Sequence, residues 1–348
     1  MNTQMRMPES QPLRGAEAAG PVCPNPASLD GAAALEGDAL RAVAEAACRL
    51  LSNFAVGGRG IADSEAMWAL EQAVAEVGRV AAAEPIRLTT TQHVEYDAAF
   101  SIRRSANTPA ALAHSIGTGV LGAVRQLSFS NSMMPGEQQA LVSGLARMVI
   151  DLAPGTGFRP AFMVGAQPAP LPPYDPVERW VDGHWAFFGI CQASIITAHR
   201  YADALENGDL ARAEAAVRSL TAAMHTLGNG FRLAGDLTEE EYRFVGSQMQ
   251  PPKLPAGFTG LWLADHQRML GLVHKIGRMD IPEPLQDLHG AYLAELNFAY
   301  WSHRFVCERI AGKRTSLAGA ATASAMDGGE LVGSYARRAM TRAKAKLS

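Results

Sequence analysis

The chain has 348 residues, 48% hydrophobic and 19% charged, with 31 Lys and Arg against 34 Asp and Glu for a net charge of -3. That length makes one large domain or two small ones with ample chain for a core. The near-neutral balance excludes the basic surplus of a nucleic-acid or membrane-surface protein. No apolar run approaches about 18 residues, so no transmembrane helix is expected. No basic segment followed by an apolar one opens the chain, so no secretory signal is expected either. Cys23, Cys48, Cys191 and Cys307 form no CxxC pair. A disulfide framework or structural zinc site is therefore not expected, and a reducing cytoplasm is.

Residues 1–30 are rich in Pro, Gly, Ser and Ala without periodicity and read as a disordered tail. Apolar residues at helical spacing (Leu40, Val43, Ala44, Ala47, Leu50, Leu51) predict a helix over 38–54, and the same pattern recurs over 64–80, with Asp63 or Ser64 as N-cap. Residues 86–96 are the one β-leaning stretch and suggest a short strand or extended loop. Helices are predicted at 109–127 and 136–152. A Pro/Gly-rich stretch at 154–176 reads as a functional flap or surface wrap between an N-terminal part (31–153) and a C-terminal part (177–348) of one compact unit.

The C-terminal part reads as helical throughout. One long apolar helix spans 177–205 and a second 210–227, ending at Gly228-Asn229-Gly230. Thr238 and Glu241 make a capping-box pattern for a short helix to residue 248, followed by a bend at Pro251, Pro252 and Pro255. Helices follow at 260–276 and 282–310, then a small-residue loop at 312–329 and a basic helix at 330–346. No internal repeat is visible. The fold class is all-α, with ligand sites between facing helices.

Without a GxxxxGK[ST], HExxH or GxSxG pattern, the P-loop, zinc-peptidase and serine-hydrolase classes lose their usual support. Histidine, the usual ligand and acid–base near neutral pH, then matters most. His303 and Cys307 form an HxxxC pair among Phe298, Tyr300, Trp301 and Phe305. On a helix they share one face, about 6 Å apart along the axis, which suits a flat apolar cofactor and equally a plain core. His266 and His274 lie eight residues apart, roughly on one helical face, and either can stand opposite His303. The hydroxyls of Thr322 and Ser324, in a small-residue segment, suit a carboxylate or ammonium group, and Arg243 suits a carboxylate or propionate. His184, Cys191 and His199 share one apolar helix and read as core or wall.

Three features together, the HxxxC pair, the Phe-Thr-Gly-Leu-Trp-Leu-Ala-Asp-His block at 258–266 and the Gly-Gly-Glu-Leu-Val-Gly-Ser-Tyr-Ala-Arg-Arg stretch at 328–338, resemble the histidyl-ligated haem-dependent aromatic oxygenases of the tryptophan 2,3-dioxygenase-like superfamily. Within it the chain looks most like the 3-methyl-L-tyrosine hydroxylases (peroxygenases) of saframycin-type pathways. The likeness covers roughly 180–346; the first hundred residues match only in length. It implies an all-α haem-binding domain and a b-type haem ligated by His303, linked to Cys307 through one thioether. It implies a distal histidine, His266 or His274, and substrate contacts from the Thr322–Ser324 segment. The implied reaction inserts oxygen ortho to the phenol of L-tyrosine or 3-methyl-L-tyrosine, with hydrogen peroxide or dioxygen, in antibiotic biosynthesis. A homodimer is implied, and neither nucleic acid nor membrane as partner. A haem-dependent tryptophan or indole oxygenase and a non-enzymatic all-α interaction module stand as the alternatives.

Overall fold

The structure, a computed structural model, describes residues 20–34, 38–54, 64–130, 132–153 and 174–311, with the backbone alone at 31–34 and 307–311. Residues 1–19, most of the 154–176 stretch, the 312–329 loop and the 330–346 helix lie outside the described residues.

The helices are α1 (Asp38–Ser52), α2 (Ser64–Ala82), α3 (Thr91–Ala99), α4 (Thr108–Ser128), α5 (Pro135–Leu152), α6 (Pro176–Glu206), α7 (Leu210–Ala234), α8 (Glu239–Gln248), α9 (Ala264–Ile276) and α10 (Gln286–Ala311). Their starts follow local chemistry. Asn107, Asp175 and Asp209 accept backbone N–H groups of the first turns of α4, α6 and α7, and Pro109 and Pro176 sit where a missing N–H costs nothing. The Thr238–Glu241 capping box at α8 is present.

α6 is the axis of the fold, packed against α4, α7 and α9, while α10 lies along α7. One continuous hydrophobic core runs from Val22 to Ala299. Residues 117–122, Gly-Thr-Gly-Val-Leu-Gly, match the GxGxxG spacing of dinucleotide-binding turns but lie in mid-α4. Their glycines serve helix packing: a Cβ at Gly119 or Gly122 would lie 2.9 or 2.6 Å from the Trp185 or Asp182 carbonyl oxygen of α6.

Three expectations are corrected. Residues 20–30 are not a tail. Val22–Pro24 forms β1, parallel to β3 (Arg103–Ser105), which also pairs antiparallel with β2 (Pro85–Ile86). Val22, Cys23 and Leu29 are buried, and a 3-10 helix follows at Pro26–Ala34. The β-leaning 86–96 stretch is mostly helix, with strand only at Pro85–Ile86; Thr90 is the N-cap residue of α3. Gly228-Asn229-Gly230 does not end α7, which runs on to Ala234. A Cβ at Gly228 would lie 2.5 Å from the Phe298 ring and one at Gly230 2.9 Å from Ile190, so the missing side chains let α10 and α6 close on α7. The Asn229 amide meanwhile donates to the His225 carbonyl one turn back.

His114 of α4 holds β1 in place by accepting the Val22 N–H at Nδ1, 2.9 Å away. Burial, aided by the positive charge of Arg103, lowers its pKa to about 4. The folded value lies below the ordinary 6.5, so this contribution is complete above pH 6.5 and is drawn down as pH falls toward 4. His289, similarly lowered to about 4 by burial, shares that slope. Urea midpoints of the protein should therefore fall between pH 7.5 and pH 4.5. His114→Asn, which keeps an acceptor but removes the titration, should flatten part of the fall; an identical slope in the variant would contradict this role.

Candidate active site

The site is built on four helices. His184, Phe187 and Phe188 lie on α6, Phe231 on α7, His266 on α9 and His303 on α10. Phe231 packs 4.8 Å from the His303 ring and 4.8 Å from Phe187, which meets His266 edge-on at 5.9 Å. His184 stacks on Phe100 at 5.0 Å and lies 4.0 Å from Trp180. Tyr96, Phe258 and Trp262 extend this wall ring by ring. The expected aromatic surroundings exist, but mainly from α6, α7 and the 258–262 turn; Trp301 and Phe305 of α10 are exposed.

The three imidazoles are electrically coupled and held neutral. Burial lowers His303 to about 4, and a proton on His266 would oppose its protonation further. Burial lowers His266, against a raising contribution from its Nδ1 contact with the Gly260 carbonyl at 3.4 Å. Burial also takes His184 to about 4, opposed by its bond to Trp180 and reinforced by His303. His184 donates from Nδ1 to the Trp180 carbonyl at 2.7 Å, which leaves Nε2 as the lone-pair nitrogen. Neutral imidazoles at pH 7 are the form that binds a metal or accepts a proton.

Beneath His266 lies a buried ionic cluster that sequence reading missed. Arg104 of β3 donates from Nε and Nη2 to both oxygens of Asp97 at 2.9 and 2.8 Å, and its Nη1 meets Asp265 Oδ2 at 2.7 Å. Burial opposes the charge on Arg104, but the two carboxylates outweigh it and raise its pKa. Burial pushes Asp97 up against the pull of Arg104. Asp265 stands in the 258–266 block; no local pattern announces an arginine far earlier in the chain as its partner.

The other sequence candidates fall elsewhere. His274 bonds through Nδ1 to the Leu270 carbonyl of its own helix, 2.9 Å away, and makes no ring contact with the cluster among the described residues. Arg243 lies on the exposed face of α8, 72% accessible, and pairs with its i,i+4 neighbour Glu239 at 2.8 Å. The Cys307 backbone belongs to α10 one turn beyond His303; its side chain, Thr322 and Ser324 lie outside the described residues.

Among the described residues no three His, Cys, Asp or Glu side chains gather to chelate a bare ion. Two neutral imidazoles on successive helices, one against Phe187 and the other against Phe231, are instead the kind of donor that suits iron already held in a porphyrin. The residues present therefore fit a haem. Among the same residues no helix is long and apolar enough to cross a membrane.

Comparisons with known proteins widen the likeness toward the N-terminus. A family model described as SfmD 3-methyl-L-tyrosine peroxygenase matches residues 6–288. The match takes in the first hundred residues, expected to agree only in length, and stops before the HxxxC pair. A relative named 3-methyl-L-tyrosine peroxygenase, from Streptomyces lavendulae, is 27% identical over 248 residues, or 69% of this chain and 67% of the relative. The crystal structure of reduced SfmD, soaked with sodium hydrosulfite, superposes with a TM-score of 0.55 at 22% identity, covering 83% of this chain and 98% of that one, and so shares the fold. A family of enzymes sets aside the non-enzymatic module. With a match across most of its length, the chain belongs to the SfmD 3-methyl-L-tyrosine peroxygenase family.

Proposed function

We propose that this protein is a haem-dependent peroxygenase that hydroxylates the ring of a tyrosine-type amino acid, L-tyrosine or 3-methyl-L-tyrosine, ortho to the phenol. The observation that supports it is the seating of His303 on Phe231 and of His266 on Phe187, two phenylalanines in mutual contact, in a chain whose family model is named for a 3-methyl-L-tyrosine peroxygenase. The overall conversion takes one oxygen atom from hydrogen peroxide into a ring C–H bond and returns water. When bound, haem supplies the activation of peroxide for that transfer.

His303 would hold the iron, and Phe231 packed against its ring fixes the ring plane. With Nδ1 turned to the Gly260 carbonyl, His266 presents Nε2 to the enclosure, where it can accept a proton from peroxide and return it to the departing oxygen. Phe187, Phe188 and Phe100 exclude water and offer stacking surface to a phenol ring. Cys307, one turn beyond His303, is the residue we assign to a single thioether, and the Thr322–Ser324 segment is assigned to the amino-acid backbone.

Titration of the ferric protein with L-tyrosine, 3-methyl-L-tyrosine and L-tryptophan tests the reading. A Soret shift with the phenolic amino acids, and a catechol product on adding peroxide, are the expected results. A shift with tryptophan alone would overturn the substrate class. A purified protein that is colourless and takes up no haem would overturn the cofactor.

A further inference from the structure

We infer that the 20–34 segment and β3 together form a strap that positions His266, through two ion pairs to α9: Arg104 with Asp265 and Asp30 with Arg268. The inference rests on the proposed function, since it takes His266 as the histidine opposite His303.

On α9, Asp265 immediately precedes His266 and Arg268 follows two residues later, and both are held from outside the C-terminal part of the chain. Asp265 is fully buried, with Oδ2 2.7 Å from Arg104 Nη1. Arg104 has little freedom itself: its fork is closed on Asp97 of α3, and Nη1 also donates to the Pro24 carbonyl of β1 at 3.1 Å. Arg268 donates from Nε to Asp30 Oδ1 at 3.1 Å and from Nη2 to the other carboxylate oxygen. Asp30 belongs to the 3-10 helix after β1, anchored beside it by the buried Leu29.

The two ties flank the histidine. Sliding or rolling α9 enough to displace the imidazole must lengthen at least one of them. The buried tie is a charge pair, and its hold comes from burial: moving Asp265 away from Arg104 would leave a carboxylate uncompensated in a dry interior. The partly exposed tie is weaker but lies at a different angle around the helix. The four residues act on the histidine through α9; they are positioning residues. Their leverage is that a shift of about 1 Å in a reacting group can cost roughly 100-fold in rate.

The test uses ferric holoprotein without substrate, reading the fraction of six-coordinate low-spin haem, with kcat and KM for peroxide measured separately. The variants are Asp265→Asn, Arg268→Ala, Asp30→Arg, and the swap Asp30→Arg with Arg268→Asp. Asp265→Asn keeps the side-chain shape and leaves Arg104 its partner Asp97. The low-spin fraction should fall about threefold in Arg268→Ala and about tenfold in Asp265→Asn, with kcat falling alongside it. KM for the amino acid and the haem content should hold. The swap should return the fraction to within about twofold of the parent protein. An unchanged low-spin fraction in both Arg268→Ala and Asp265→Asn overturns the strap, as does a swap no better than its single variants. Should Asp265→Asn fail to fold, Arg268→Ala and the swap decide. A parent protein with no six-coordinate low-spin form overturns the assignment of His266, and the strap with it, so the parent spectrum separates the two failures.

Discussion

His303→Ala is expected to yield folded protein that purifies without haem. The imidazole of His303 is held neutral by burial and seated against Phe231, so at pH 7 its lone pair is available and its ring is oriented before any iron arrives. Loss of even an outer partner of a metal ligand costs roughly 10–100-fold in affinity, and loss of the ligand itself should cost at least as much. Haem per polypeptide, read from the Soret band against total protein, should fall by at least that factor while far-UV circular dichroism stays unchanged. A variant with the parent's Soret band and haem content would refute the role. His266→Ala serves as the contrast: it should keep its haem and lose the six-coordinate low-spin spectrum.

Arg104→Met should produce the largest loss of stability. Arg104 is 4% exposed and is the cation on which Asp97 and Asp265 both close. Removing one partner of a buried ion pair costs about 3–5 kcal/mol, because the remaining charge is left without compensation. The loss should appear as a lower urea midpoint with little change in slope. Its pH dependence is a second signature. Burial already raises Asp97 against the pull of Arg104, and without that pull the folded value should rise further above the unfolded one. Such a group contributes fully below its unfolded pKa and loses that contribution as pH rises through its folded pKa. Acidification should therefore recover part of the variant's stability. A midpoint equal to the parent's at pH 8 would show that the cluster is not structural.

Most helices were legible in the sequence because they carry an apolar stripe, as α1 does, or a cap, as α8 does. What escaped was set by contacts between distant segments. β1 has too few residues for a pattern, and its partners His114 and Ser115 lie 92 residues away. Gly228 and Gly230 each cost a helix about 1 kcal/mol in propensity, so a break was the local reading. The ring of Phe298 and the side chain of Ile190, which overrule it, belong to other helices. In the site, His266 and His303 were found as residue types in suggestive settings. Their common enclosure was not visible, because Phe187 and Phe231 are ordinary apolar positions until α6 and α7 cross. Arg243 drew notice as a partner for a carboxylate or propionate, whereas Arg104, which closes the buried ionic cluster, sits in an Arg-Arg-Ser stretch without a motif.

The pairing of Asp30 with Arg268 spans 238 residues, and this bears on when the protein can become itself. Synthesis delivers the 20–34 segment first and α9 nearly last. Domains otherwise tend to fold as they emerge, at about 5–20 residues per second. Val22 and Cys23 thus have their main cover only when β3 and α4 appear, the 3-10 helix carrying Leu29 packs next on α6, and the ion pair to Arg268 forms only when α9 does. The nascent chain carries an uncovered apolar stretch until α4 has emerged, and a partly covered one until α9 has. The step that finally covers it is the same step that brings His266 to its place.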